Sequence, residues 1–407
     1  MEQKFFLIFG IMFIGYTSIV YNRQSLPYAA PVIADRENLQ NSDLGVIISC
    51  QHLGYMIVKT ISGPMADIVV PSLLLSASLF FTGLMLASFT VASSVPLFAV
   101  SSFFCGFAQG PAWGACAVLL KQLVKPEQFA TWWGVLSVSS NVAGTVGPFL
   151  SAYLVEAYGW RTAFVVVATI TMAFSGFSFV VLRLFTQGDE KVKDTGSTRR
   201  FVDVFTPQLG LVFLSYMLVS VVRGACNDWG QMYLVQSKQQ PILVASSFSS
   251  TQEIGGIIGS VAAGYIADLM ISKTSRNVKP RYAISLFLAV LQTFGLLAFL
   301  FFVSAQSSQL WISLLAFVIG FGMYGAITLF GVLAMEVAPP KLEGTSHSLV
   351  TLGSNFGRVM AGYPLSLIAT YLTWHESFMV VLSVSILSVL IVFIGLQYKE
   401  ISHKKNL

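Results

Sequence analysis

Along this chain, apolar runs long enough to cross a bilayer alternate with short polar breaks. Spans are predicted over residues 5–29, 43–66, 71–90, 95–121, 129–156 and 162–185, and again over 208–236, 243–270, 281–304, 308–335, 343–371 and 376–398. A charged stretch, Gln187 to Arg200 (QGDEKVKDTGSTRR), separates the sixth run from the seventh. The pattern divides the chain into an N-terminal six-helix half (1–186), a charged linker (187–207) and a C-terminal six-helix half with a tail (208–407). The first run, Phe5 to Val20, continues into helix one with no small-residue cleavage site. It reads as a retained helix, not a signal peptide.

The two halves repeat. Tyr16 and Arg23 match Tyr216 and Arg223, and Gly63-Pro-Met-Ala-Asp67 matches Gly264-Tyr-Ile-Ala-Asp268. Ser140-Asn141 matches Ser354-Asn355, and Trp160 with Phe164 matches Trp374 with Phe378. Four matches, in order and between corresponding helices, predict an all-α membrane protein of twelve helices in two pseudo-symmetric halves. Such parallel repeats place a substrate site near the bilayer midplane.

Composition agrees: 55% of the 407 residues are hydrophobic and 10% are charged, against about 25% charge in a soluble domain. Soluble enzyme classes drop out, and no nucleophile–base pair, metal-ligand spacing or cofactor motif argues for a membrane enzyme. Cys50, Cys105, Cys116 and Cys226 all fall in apolar runs and read as packing residues. The net charge of +5 is a topology signal, not a nucleic-acid one. Sixteen of the 23 basic residues fall in segments on the side of the two termini, three on the opposite side and four inside helices. That bias predicts cytoplasmic termini.

The four intramembrane cations are Arg23, Lys59, Arg223 and Arg358; the deep acids are fewer, Asp228 and Glu253, and serve as charge balance. A surplus of positive charge in a wet cavity wants an anion. Arg23 and Arg223 hold equivalent places, each with a Tyr (Tyr16, Tyr216) seven residues earlier on the same face. An arginine pair suits phosphate, because guanidinium forks bidentately onto its oxygens; the alternative is that each arginine neutralises an acid, Asp228 being near Arg223 in sequence. On helix two, Gln51, Tyr55 and Lys59 share a face, as do His347, Thr351, Ser354 and Arg358 on helix eleven. Both stripes line either the cavity or a tight interface. Lys59 could instead snorkel, and His347 could cap its helix. Trp113 and Tyr324 are candidate walls for a sugar ring, or packing.

These residues together resemble the organophosphate:phosphate antiporter family of the major facilitator superfamily, closest to its endoplasmic-reticulum glucose-6-phosphate branch. The likeness runs through Tyr21-Asn-Arg23, Ser49-Cys-Gln51 with Tyr55 and Lys59, Gly106-Phe-Ala-Gln-Gly110 with Trp113, and Gln128-Phe-Ala-Thr-Trp-Trp133. It continues in Asn227-Asp-Trp-Gly-Gln231, Glu253-Ile-Gly-Gly256, Leu329-Phe-Gly-Val332 and Gly344-Thr-Ser-His347. Departures are Gln24 where the family often has Lys, Gly114-Ala115 for its double proline, Ser140 for the His of some bacterial members, and Arg358 for a usual Gly.

The resemblance implies the major facilitator fold. It also implies exchange of a sugar phosphate, glucose-6-phosphate foremost, for inorganic phosphate by rocking of the halves. Arg23, Lys59 and Arg223 would hold the phosphoryl group. Tyr16, Gln51, Tyr55, Trp113, Ser140, Asn141, Tyr216, Asn227, Tyr324, His347 and Asn355 would line the cavity. It implies no cofactor, no metal and no nucleic acid; the partners are the two phosphates, membrane lipid and, functionally, a lumenal glucose-6-phosphatase. Lys404 and Lys405, near the C-terminus, resemble a dilysine retrieval signal and place the protein in the endoplasmic reticulum membrane. Two alternatives stay open: a proton-coupled carrier of another organic anion, and a sensor that binds sugar phosphate without moving it.

Overall fold

A computed structural model describes residues 2–124, 126–185, 206–273, 279–338 and 343–405. The described residues form twelve helical segments. The first six are α1 (Glu2–Glu37), α2 (Asn41–Ile68), α3 (Pro71–Val91), α4 in two pieces (Val95–Gln109 and Ala112–Leu123), α5 (Pro126–Tyr158) and α6 (Trp160–Phe185). The next six are α7 (Pro207–Gly224, continued through two π-turns, Ala225–Trp229 and Tyr233–Ser237), α8 (Ile242–Lys273), α9 (Lys279–Phe302), α10 (Gln309–Glu336), α11 in two pieces (Glu343–Met360 and Tyr363–Tyr371) and α12 (Trp374–Lys405). Each predicted span coincides with one of them. Among the described residues, nine are long and apolar enough to cross a membrane.

The chain divides into two compact units, Met1–Thr195 and Gly196–Leu407. The expected linker falls almost wholly outside the described residues, as do the side chains of Lys404 and Lys405. Within unit 1, α2 packs on α4, α3 on α6 and α1 on α5; within unit 2, α8 packs on α10, α9 on α12 and α7 on α11. The pairing is the same, six helices on, so the repeat seen in sequence is a repeat of packing.

Short polar signals start and stop these helices. Thr206 accepts from the Leu209 amide at 3.2 Å ahead of Pro207, and Ser308 from the Trp311 amide at 3.3 Å. Gly159, with φ +78°, turns α5 into α6. With little hydrophobic force between helices in lipid, small residues that admit close backbones drive association. A Cβ on Gly54 would stand 2.1 Å from the Phe103 carbonyl oxygen, and one on Gly106 1.9 Å from that of Gln51. Unit 2 repeats the device: Gly255 meets Phe317 at 2.2 Å and Gly320 meets Gln252 at 1.9 Å. The pairs α2/α4 and α8/α10 therefore touch backbone to backbone, which fixes the side chains they present.

Candidate functional site

In unit 1, α1 presents Arg23, 7% exposed. Its Nε donates to Gln109 Oε1 at 2.8 Å, and its guanidinium carbon lies 4.0 Å from the Tyr55 ring centroid. Its Nη2 is buried with no hydrogen-bond partner, and no carboxylate pairs with it among the described residues. Lys59, one turn beyond Tyr55 on α2, brings Nζ to 5.2 Å from the same ring. One tyrosine ring thus gathers two cations, an arrangement favourable by about 0.5–2 kcal/mol per contact. Tyr16 shares a hydrogen bond with Tyr55, and its ring lies 4.6 Å from Trp113, which lies 4.4 Å from Trp133. The cations therefore border an aromatic wall contributed by α1, α4 and α5.

Behind Arg23 a buried polar chain runs inward. Gln109 Nε2 donates to Cys105 Sγ at 3.3 Å, and Gln51 Nε2 reaches the same sulfur at 4.0 Å. Gln51 thus supports the site from behind. Ser140 donates its hydroxyl to the Ser137 carbonyl at 2.8 Å, and Asn141 lies half-buried beside it on α5.

In unit 2, α7 presents Arg223, its guanidinium carbon 4.5 Å from the Tyr324 ring centroid and its Nε buried without a hydrogen-bond partner. The neighbours differ from those of Arg23. Glu253, 5% exposed, lies within electrostatic reach of Arg223, as do Tyr324 and Tyr216. Tyr324 donates its hydroxyl to Glu253, Asn227 Nδ2 donates to the same carboxylate at 3.3 Å, and Gln252 donates to Asn227 Oδ1. These bonds hold the carboxylate in a polar network within electrostatic reach of the cation.

Asp228, the acid near Arg223 in sequence, has a cation of α11 beside it: Arg358 Nη2 stands 3.8 Å from Asp228 Oδ1. Five residues advance a regular helix by about 140° round its axis, away from Arg223's face, and Asp228 lies in the π-turn against α11. Trp229 anchors that turn, donating Nε1 to the Ala361 carbonyl at 2.7 Å. His347 is exposed, its Nδ1 3.2 Å from the Gly331 carbonyl oxygen on α10. Asn355 is half-buried on α11, next to Ser354, whose hydroxyl meets that of Ser220 at 2.7 Å.

Gln109 and Trp133 were not singled out from the sequence as site residues. A signal existed for both: Gln109 sits one turn before Trp113 in an otherwise apolar run, and Trp133 ends the Gln128 motif.

Comparison with known proteins follows from this geometry. Residues 12–362 match the family model described as Major Facilitator Superfamily. The chain is 29% identical over 418 residues to a probable hexose phosphate transport protein of Chlamydia pneumoniae, covering 94% of this chain and 89% of that one. It is 27% identical over 397 residues to the membrane sensor protein UhpC of Escherichia coli K12, covering 92% and 88%. Among solved structures, an inward-facing bacterial homologue of the human lysosomal transporter Spinster superposes with a TM-score of 0.81 at 12% identity, covering 98% of both chains, which speaks for the fold alone.

Proposed function

The chain belongs to the Major Facilitator Superfamily and is a transporter, not an enzyme; from that premise we propose that its cargo is a phosphate monoester, in particular a sugar phosphate. The observation that carries this reading is Arg23, a buried guanidinium with an unpartnered N–H edge and no carboxylate paired with it among the described residues, beside Lys59 on the same tyrosine ring. A phosphate monoester carries a charge of about −1.5 to −2. That matches two cations, and its oxygens can accept from the open guanidinium edge. The Tyr16, Trp113 and Trp133 rings next to these cations offer an apolar face to a sugar. The chlamydial relative's name supports the same cargo.

The finer proposal is exchange. Dehydrating unneutralised cations is costly, so the empty carrier rarely reorients and each anion moving one way requires another to return. Inorganic phosphate is the counter-substrate and glucose-6-phosphate the leading sugar phosphate, both on the strength of the family resemblance. Radiolabelled phosphate exchange in proteoliposomes, against a panel of phosphate esters, tests this. Little uptake into vesicles lacking internal phosphate, and several-fold more into loaded ones, is expected. Equal uptake identifies a uniporter, and uptake driven by a pH gradient alone identifies a proton-coupled carrier.

Two second readings have an observation behind each. The similarity to UhpC favours a sensor, which binds the ester and moves none of it; the same vesicles distinguish it. For location, the family resemblance supports the endoplasmic reticulum and coupling to a lumenal glucose-6-phosphatase, and the bias of basic residues supports cytoplasmic termini. Both named sequence relatives are bacterial, which favours a bacterial plasma membrane instead. Imaging of the protein in its own cell, tagged away from the C-terminus, decides between them.

A further inference from the structure

Unit 1 contains a residue whose chemistry is fitted to Arg23 and which the family reading does not use. Gln109 is 1% exposed and is the last residue of the first piece of α4. The helix breaks directly after it, at Gly110 and Pro111. Its amide is committed at both ends: Oε1 accepts from Arg23 Nε at 2.8 Å, and Nε2 donates to Cys105 Sγ at 3.3 Å. With Nε engaged and Tyr55 covering one face of the guanidinium, the Nη2 edge is left as a buried donor with nothing to donate to.

The break in α4 also touches the second cation. A Cβ on Gly110 would stand 3.0 Å from the Lys59 backbone nitrogen and 2.9 Å from Val58 Cγ1. One short stretch, Gln109-Gly110, therefore holds Arg23 through a side chain and abuts the backbone of Lys59. Gln109 contacts Arg23 from α1 and Cys105 from its own helix; beyond Arg23 stand Tyr55, with Lys59 over the same ring, and Tyr16, hydrogen-bonded to Tyr55; α3 brings the Thr82 carbonyl, 3.9 Å from the Cys105 thiol, and no titratable side chain.

A carboxylate is the stronger acceptor for an arginine Nε–H, because both partners are then ionised. Here the acceptor is neutral. A carboxylate at this position would hold the guanidinium in the same orientation but cancel its charge, and Glu253 beside Arg223 shows that this architecture accommodates one. We propose that Gln109 is a positioning residue for anion binding: its neutral amide fixes the Arg23 guanidinium with the Nη2 edge open while leaving the full positive charge available to the phosphoryl group. This inference rests on the phosphate reading of Arg23.

The proposal inverts the usual order of substitution effects. Gln109→Glu keeps length, shape and hydrogen bond and alters only charge, so a purely structural role makes it the mildest replacement. A charge-preserving role makes it the worst. Gln109→Leu removes the bond but leaves Arg23 charged, and should be intermediate. The test is equilibrium binding to purified full-length protein of inorganic phosphate, glucose-6-phosphate, sulfate and a small dicarboxylate, with melting in detergent as the folding control. Phosphate affinity is expected to fall about tenfold or more in Gln109→Glu and about threefold in Gln109→Leu, since cancelling the Arg23 charge outweighs loss of one bond that orients it. Gln109→Glu binding as tightly as wild type, or more tightly than Gln109→Leu, overturns the proposal. Should Gln109→Glu fail to fold, Gln109→Asn carries the test: the amide is kept but shortened, the affinity falls several-fold, and an unchanged affinity overturns the proposal. Wild-type protein that binds sulfate or the dicarboxylate but neither phosphate sinks the phosphate reading, and the order of variants is then decided with the anion that binds. Wild-type protein that binds none of the four overturns both.

Discussion

Arg23 and Arg223 occupy matching places in two halves built by the same packing, yet their surroundings differ in one respect that decides their chemistry. Each guanidinium lies over a tyrosine ring, at 4.0 Å and 4.5 Å. Each sits beside a helix pair locked by glycines. In unit 1 the remaining partner is the neutral amide of Gln109; in unit 2 the neighbouring group is the carboxylate of Glu253. The scaffold that aims the cation and the charge that tunes it are therefore separable. Backbone contact between paired helices sets direction, and a single side chain sets whether the cation arrives neutralised. On the phosphate reading proposed above, Arg23 would be the stronger anion trap, and Arg223 the cation at which an incoming anion competes with a resident carboxylate.

The largest effect should come from the trap itself. Arg23→Ala removes the open edge and one of two charges on the Tyr55 ring. With charge-assisted hydrogen bonds worth about 1.5–3 kcal/mol each, transport in proteoliposomes should fall about a hundredfold or more, with a near-normal melting profile. Arg23→Lys should also be severely impaired, because a point charge cannot replace the fork. Near-normal transport in Arg23→Ala would overturn the assignment of this residue to the phosphoryl group.

Unit 2 can then be made to resemble unit 1. Arg223→Ala should be severe as well, because it removes a cation and strands the Glu253 carboxylate beside the anion. Adding Glu253→Gln to Arg223→Ala should recover part of the loss, a rescue that a purely structural arginine would not show. Glu253→Gln alone should tighten phosphate binding about fivefold by removing the competing charge and slow turnover. Phosphate affinity unchanged in Glu253→Gln would mean that the carboxylate does not compete, and the asymmetry between the halves would be of no consequence for binding.

A smaller and more selective effect is expected from the aromatic wall of unit 1. Trp113→Ala removes ring contacts worth about 0.5–1.5 kcal/mol. The KM for a hexose phosphate should rise about threefold to tenfold, while that for inorganic phosphate, which has no sugar to stack, should stay the same. An equal change for both would make Trp113 a packing residue.

The parts of this arrangement legible in sequence are those carried by periodicity along one helix. Apolar run length gave twelve spans, the offset of 200 residues between Tyr16–Arg23 and Tyr216–Arg223 gave the repeat, and four-residue spacing put Gln51, Tyr55 and Lys59 on one face of α2. Partners across helices were not legible in the same way. Spacing in α2 says that Tyr55 and Lys59 share a face, but not that Arg23 lies over that face. The π-turns of α7 were also hidden, since no sequence pattern marks where a helix widens, and the first of them carries Asp228, with Arg358 of α11 beside it. Gln109 was hidden by its company: in an apolar run between two glycines it reads as packing until Arg23 is seen against it.

The smallest effect on transport is expected at the ion pair between Asp228 and Arg358, deep in the helices of unit 2. Asp228 and Arg358 are both largely buried and lie 3.8 Å apart, and the pair joins the π-turn of α7 to α11. Replacing one member leaves a buried charge facing an uncharged group, a change that costs about 3–5 kcal/mol. Arg358→Gln should therefore lower the melting temperature and the yield of folded protein. Replacing both, Asp228→Asn with Arg358→Gln, removes the two charges together and keeps the volume and a route to a neutral hydrogen bond. The double variant should melt near wild type and exchange phosphate within about twofold of it, because loss of a neutralised pair changes neither the net charge of unit 2 nor the surroundings of Arg223. If transport instead collapses in a double variant that folds normally, Arg358 acts on the anion directly, and unit 2 holds two working cations where unit 1 holds Arg23 and Lys59. The contrast between the halves would then lie in how the second cation is supplied, from α2 in one and from α11 in the other.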